Sequence, residues 1–238
     1  MRLSFCGLAW TAASASALAA PRRALHALTD ATGARTEALE INDVEDYRRT
    51  FVFNEATLVR VHETSFFEGK LGYQIWPAGI AGALWAASNA DRFAGRSVLE
   101  LGAGVGMFGC AIAALTEADR VVLSDLDARD DVDTPSGLLA AQRESAAANG
   151  LAFESRAIDW TASKEAWGDD RFDVVVAADC VYAPEAVVPL AECLDHFLAP
   201  GGAAYVLSTE RDWCERGADA DRGRPRSAGP PADRRAPT

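Results

Sequence analysis

Apolar residues in this chain come in short runs, and from about residue 98 onward those runs alternate with stretches of helical spacing. Val98-Leu99-Glu100-Leu101 reads as a short buried strand. It stops at Gly102-Ala103-Gly104-Val105-Gly106 and restarts at Met107 as an apolar helix running through 110–115. A second strand spans 120–124 and ends in Asp125-Leu126-Asp127. A helix over 135–149 follows, with Leu138 and Leu139 on its apolar side and Asn149-Gly150 as its stop. Residues 153–158 form a weaker third strand. Residues 172–178 form a fourth, apolar on both faces after Asp173 and therefore central. A helix over 186–198 ends at Pro200-Gly201-Gly202, and 203–208 is a fifth strand. Alternation of this kind predicts a three-layer α/β sandwich on a parallel sheet, with right-handed crossovers.

Ahead of that core the pattern differs. Residues 50–53 and 57–61 are β-type runs separated by Asn54-Glu55-Ala56, a hairpin connection. Residues 80–87 suit a helix, with Pro77 near its first turn. Residues 1–29 contain no acidic side chain and are rich in Ala, Ser and Leu. They read as an uncleaved N-terminus first, a transit peptide second and a secretory signal third. From Arg211 onward the chain is polar and proline-bearing, which predicts disorder. The organisation expected is a leader over 1–35, a hairpin and helix extension over 36–95, a core over 96–210 and a tail over 211–238.

At 238 residues the chain is long enough for one full core. A formal net charge of -12 argues against a nucleic-acid grip, which needs a basic face. The five cysteines are scattered and the three histidines stand alone, so neither a disulfide framework nor a metal site is expected. No stretch is clean enough for a membrane span. A reducing, cytoplasmic setting fits, with an organelle reached by a transit peptide as the alternative.

A strand that ends at closely spaced glycines and restarts as a helix brings backbone N–H groups and a helix N-terminus against a ligand. Two cofactors fit such a turn. Residues 104–109 match the dinucleotide pattern G-x-G-x-x-G, and residues 100–106 match the acidic-x-G-x-G-x-G pattern of S-adenosylmethionine sites. Glu100 decides between them on charge, because a carboxylate repels a pyrophosphate and attracts a sulfonium. Asp125 can accept the ribose hydroxyls in either case. By spacing alone Trp76 is core filler, with a cofactor wall as its other reading.

At that point the chain resembles the seven-strand protein lysine methyltransferases of the methyltransferase-16 family. The matching segments are Ile75-Trp76-Pro77-Ala78-Gly79, residues 98–109, Val122-Leu123-Ser124-Asp125, Ile158-Asp159-Trp160, Ala177-Ala178-Asp179-Cys180-Val181-Tyr182 and the turn at 198–202, in the family's order. The resemblance implies a Rossmann-like S-adenosylmethionine-dependent fold with Trp76, Glu100, Gly102, Ala103, Gly104, Asp125, Asp159, Trp160 and Ala178 around the cofactor. It implies that Asp179 and Tyr182 form the D-x-x-Y motif beside the transferred methyl group, and that the substrate is a lysine-bearing protein such as a chaperone or translation factor. A monomer is expected, with neither nucleic acid nor membrane as partner. Family members continue past the fifth strand with a helix and two more strands, so the sheet here would lack its last strands. Two rival readings follow: a methyltransferase-like binding protein without turnover, and a nicotinamide-dependent reductase. A small-molecule acceptor also stays open.

Overall fold

The computed structural model describes residues 4–5, 23–29, 33–43, 48–53, 57–63, 71–126 and 137–209. The expected tail over 211–238 and the Asn54-Glu55-Ala56 connection lie outside them. The central sheet contains β1 (Ser4–Phe5), β6 (Ser97–Leu101), β7 (Arg120–Asp125), β8 (Glu154–Ala157), β9 (Phe172–Ala178) and β10 (Leu198–Leu207). Its order is β1-β10-β9-β6-β7-β8, every pair parallel. β6 pairs with the next strand, β7, on one side and with β9 on the other. The connection therefore changes direction there, and a crevice opens beyond the carboxyl ends of those strands.

Strand alternation assigns the two faces of this sheet. Leu99 and Leu101 of β6 join Val175 and Ala177 of β9 on one face. There they pack on Leu190, Leu194 and Phe197 of α5 (Val187–Phe197) and on Trp167 at the end of α4 (Lys164–Trp167). Val98, Val174 and Val176 face the other way, onto Phe108 and Ile112 of α2 (Met107–Leu115) and Ala86 of α1 (Pro77–Ser88). Pro77 opens α1 as expected. α3 (Leu138–Asn149) ends at Gly150, whose φ of +63° is the left-handed stop the sequence predicted.

Two expectations are corrected. The hairpin over residues 50–61 belongs to a four-stranded antiparallel sheet, β2 (Arg23–Thr29), β3 (Arg35–Asp43), β4 (Arg48–Phe53) and β5 (Thr57–His62), in that order. Phe51, Phe53, Val59 and Val61 bury against α1, α2 and α3, so the three-layer sandwich gains a fourth layer. Part of the supposed leader over 1–35 is thus a paired strand. The hydrophobic pattern missed β2 and β3 because polar side chains face inward. His26 on β2 and Thr36 and Glu40 on β3 are buried, while Leu39 and Ile41 are only half-buried. On the outer side of β10, Ser4 stands opposite Tyr205 and Phe5 opposite Val206.

Candidate active site

The turn after β6 has Gly102, Gly104 and Gly106 all at positive φ, +65°, +54° and +89°, a path open to glycine without strain. It is pinned from several sides. The Ala103 N–H donates to the Ser124 carbonyl at 2.9 Å, and the Gly104 N–H to Asp125 Oδ2 at 2.7 Å. Gln142 of α3 donates from Nε2 to the Gly104 carbonyl at 2.8 Å. The protein itself takes up the room the glycines leave. A Cβ on Gly102 would stand 2.7 Å from Cys180 Sγ and 3.0 Å from the Trp160 ring, and one on Gly104 would stand 2.7 Å from the Gly72 carbonyl oxygen. The glycines therefore let protein close in from below and beside the loop.

Glu100 corrects the electrostatic argument. It shares its strand face with Val98, so its side chain runs under α2 rather than out toward the crevice. It is buried, and its Oε2 accepts the Gly109 N–H at 2.7 Å. Burial pushes its pKa up to about 8, helped by the nearby Asp125 and opposed by the Gly109 N–H. A carboxyl group kept mostly protonated at neutral pH offers little charge to a sulfonium. The same contact explains the dinucleotide-like spacing. A Cβ on Gly109 would lie 2.6 Å from Glu100 Oε2 and 2.6 Å from Leu123, so this glycine serves the packing of α2 on β6 and β7.

Of the other predicted residues, Asp125, Asp159 and Ala178 lie at or just past the carboxyl ends of the strands. Asp125, the last residue of β7, has Oδ1 on the Leu126 N–H at 2.7 Å as well as Oδ2 on Gly104. Burial moves its pKa upward. Each carboxylate oxygen has a second lone pair, so Asp125 keeps capacity for a hydroxyl donor. Asp159, exposed just past β8, folds its Oδ1 back onto the Thr161 N–H and hydroxyl at 2.8 and 2.7 Å. Trp160 beside it closes on Gly102. Trp76 precedes α1 and is 40% exposed, which removes the core-filler reading. Ala178 ends β9 half-buried, Asp179 follows, and Tyr182 is 59% exposed. The structure thus brings together the loop, Asp125 and Trp160, puts Ala178 and Asp179 at the carboxyl end of β9, leaves Trp76 and Tyr182 exposed, and keeps Glu100 out of the crevice.

Sequence reasoning missed Gly72, Cys180, Gln142 and Thr209. Gln142 had a signal: it sits three and four residues after Leu139 and Leu138, a polar residue on the helix's apolar face. Cys180 donates from Sγ to the Leu101 carbonyl at 3.1 Å, and burial pushes its thiol pKa up. Nothing local marked Gly72 or Thr209, whose partners are distant in the chain.

A lysine methyltransferase family model matches residues 54–219. The chain belongs to that family. Among curated relatives it is 29% identical over 200 residues to the human putative protein N-methyltransferase FAM86B1, covering 74% of this chain and 58% of that one. It is 32% identical over 165 residues to the human protein-lysine N-methyltransferase EEF2KMT, covering 60% and 47%. It is 31% identical over 136 residues to the Arabidopsis thaliana calmodulin-lysine N-methyltransferase, covering 56% and 42%. The chain spans about half the length of the curated relatives it matches. The segment matched by the lysine methyltransferase model takes in β5, the whole glycine loop and the Asp179–Tyr182 motif.

Proposed function

We propose that this chain binds S-adenosylmethionine along the carboxyl edge of its parallel sheet and methylates a lysine side chain of a protein. The observation that carries the reading, beside family membership, is the hydrogen bond between Gly104 and Asp125 at the switch point. It sets a carboxylate with remaining acceptor capacity beside the glycine loop, a fit for the ribose of an adenosyl group. Trp76 flanks the cofactor with aromatic surface, and Trp160 lies against Gly102. Gly102, Ala103 and Gly104 border the methionine and ribose portions, Asp159 and Trp160 border the adenine, Ala178 lines the pocket at the end of β9, and Glu100 supports the loop from beneath.

When bound, S-adenosylmethionine supplies a methyl group made electrophilic by its sulfonium. The acceptor must present a neutral amine, while a free lysine with a pKa of about 10.4 arrives protonated. Asp179 receives the ammonium through a charge-assisted hydrogen bond, and Tyr182 offers it a ring face. Proton loss would go to water or to the Asp179 carboxylate, and the freed amine would take the methyl group as its C–S bond breaks, leaving S-adenosylhomocysteine. Positioning supplies most of the acceleration.

The test is calorimetric titration with S-adenosylhomocysteine and with NADH, beside tritium transfer from S-adenosylmethionine to lysate proteins. Asp125→Ala should weaken S-adenosylhomocysteine binding by about 1–3 kcal/mol, the loss expected for unsatisfied hydroxyls. Asp179→Ala should keep that affinity and lose transfer. Tighter binding of NADH, or lysine-free label in the digested proteins, would overturn the reading.

A further inference from the structure

Asp179 is the only non-glycine among the described residues with a positive φ, +55°. For a residue with a side chain that conformation costs about 1 kcal/mol or more, and it persists where surrounding bonds hold it. Three of those bonds come from one place. The Asp179 N–H donates to the Leu207 carbonyl at 2.8 Å, and its Oδ1 accepts the Thr209 hydroxyl at 2.7 Å and the Thr209 N–H at 3.4 Å. Leu207 closes β10, and Thr209 lies two residues beyond it.

We infer that Thr209 is the positioning residue for the acceptor-side carboxylate, fixing through its hydroxyl the direction in which Asp179 meets the substrate ammonium. This rests on the proposed function. The backbone bond to Leu207 sets where the Cα of Asp179 stands, but it leaves χ1 and χ2 free to turn. A hydroxyl and an N–H from one residue, both on Oδ1, hold the plane of the carboxylate and so the direction of Oδ2. The end of β10 therefore takes part in setting the aim of the acceptor group. Thr209 is exposed, so its hydroxyl is not there to fill the core.

The experiment compares Thr209→Val, which keeps the shape and loses the donor, with Thr209→Ser, which keeps the donor. Thr209→Val should lower the maximal rate of tritium transfer about tenfold, the order expected for a misaimed group. KM for S-adenosylmethionine and affinity for S-adenosylhomocysteine should stay within about twofold, the scatter of a site left intact. Thr209→Ser should restore the rate. NMR couplings across χ1 of Asp179 should report one rotamer in the parent and in Thr209→Ser, and averaging in Thr209→Val. Equal rates and one rotamer in all three proteins would overturn the inference, as would Thr209→Ser failing as badly as Thr209→Val. A parent protein that transfers no methyl group would sink the proposed function, while the rotamer measurement would still decide what Thr209 holds.

Discussion

Replacing Glu100 with Gln separates a neutral prop from a charged cofactor ligand. The Glu100 side chain is 2% exposed, its Oε2 lies 2.7 Å from the Gly109 nitrogen, and burial lifts its pKa from 4.5 to about 8. The unfolded chain releases this proton near pH 4.5, while the folded chain holds it until about pH 8. Across that window the folded state binds more protons than the unfolded state, so this group's contribution to stability falls as pH rises and levels off above about 8. At about 1.4 kcal/mol per pH unit, the whole window amounts to roughly 5 kcal/mol. Glu100→Gln keeps an acceptor for Gly109 and removes the titration. Urea denaturation of both proteins at steps through the window should show the variant gaining on the parent as pH rises. S-adenosylhomocysteine affinity should change by less than about twofold, because a mostly neutral side chain under α2 contributes little charge to the crevice. Parallel stability profiles, or a tenfold loss of affinity on the order of 1.4 kcal/mol, would refute the reasoning.

Two further outcomes test the packing. Gly102→Ala puts a side chain at φ +65° and a Cβ 2.7 Å from Cys180 Sγ, so thermal unfolding should show a loss of about 2 kcal/mol or more. Cys180→Ala in the same protein should return part of it. In the N-terminal sheet, burial would raise the Glu40 pKa, but bonds from His26 and from Arg49 at 2.8 Å prevail and hold it at about 2. Arg49→Met strips one partner from a buried carboxylate and should cost about 3–5 kcal/mol at neutral pH. The parent's share from Glu40 is present above pH 4.5 and is lost as pH falls toward about 2, and acid denaturation of the variant should show less of that loss.

Most of the parallel core was readable in the chain. Strands at 97–101, 120–125 and 172–178 lie where apolar runs of four to seven residues were bounded by turns, and α1, α2, α3 and α5 lie where helical spacing was. β2 and β3 were not readable, because His26, Thr36 and Glu40 occupy inward positions through ion pairs and hydrogen bonds rather than apolarity. The site divides the same way. The glycine loop and Asp125 announce themselves because each sits at the end of a strand, and strand ends are local features.

The amino-acid sequence by itself determined the order of the core elements, the place of the loop and the family, since each depends on residues close together in the chain. Only the tertiary structure decided what those residues face. The parity of β6 sends Glu100 beneath α2, where burial keeps its proton on. Pairing of β10 with β9 delivers Thr209 to Asp179 across thirty positions. Hydrophobic periodicity records whether a side chain is buried, and it carries no information about which distant partner a polar group will meet.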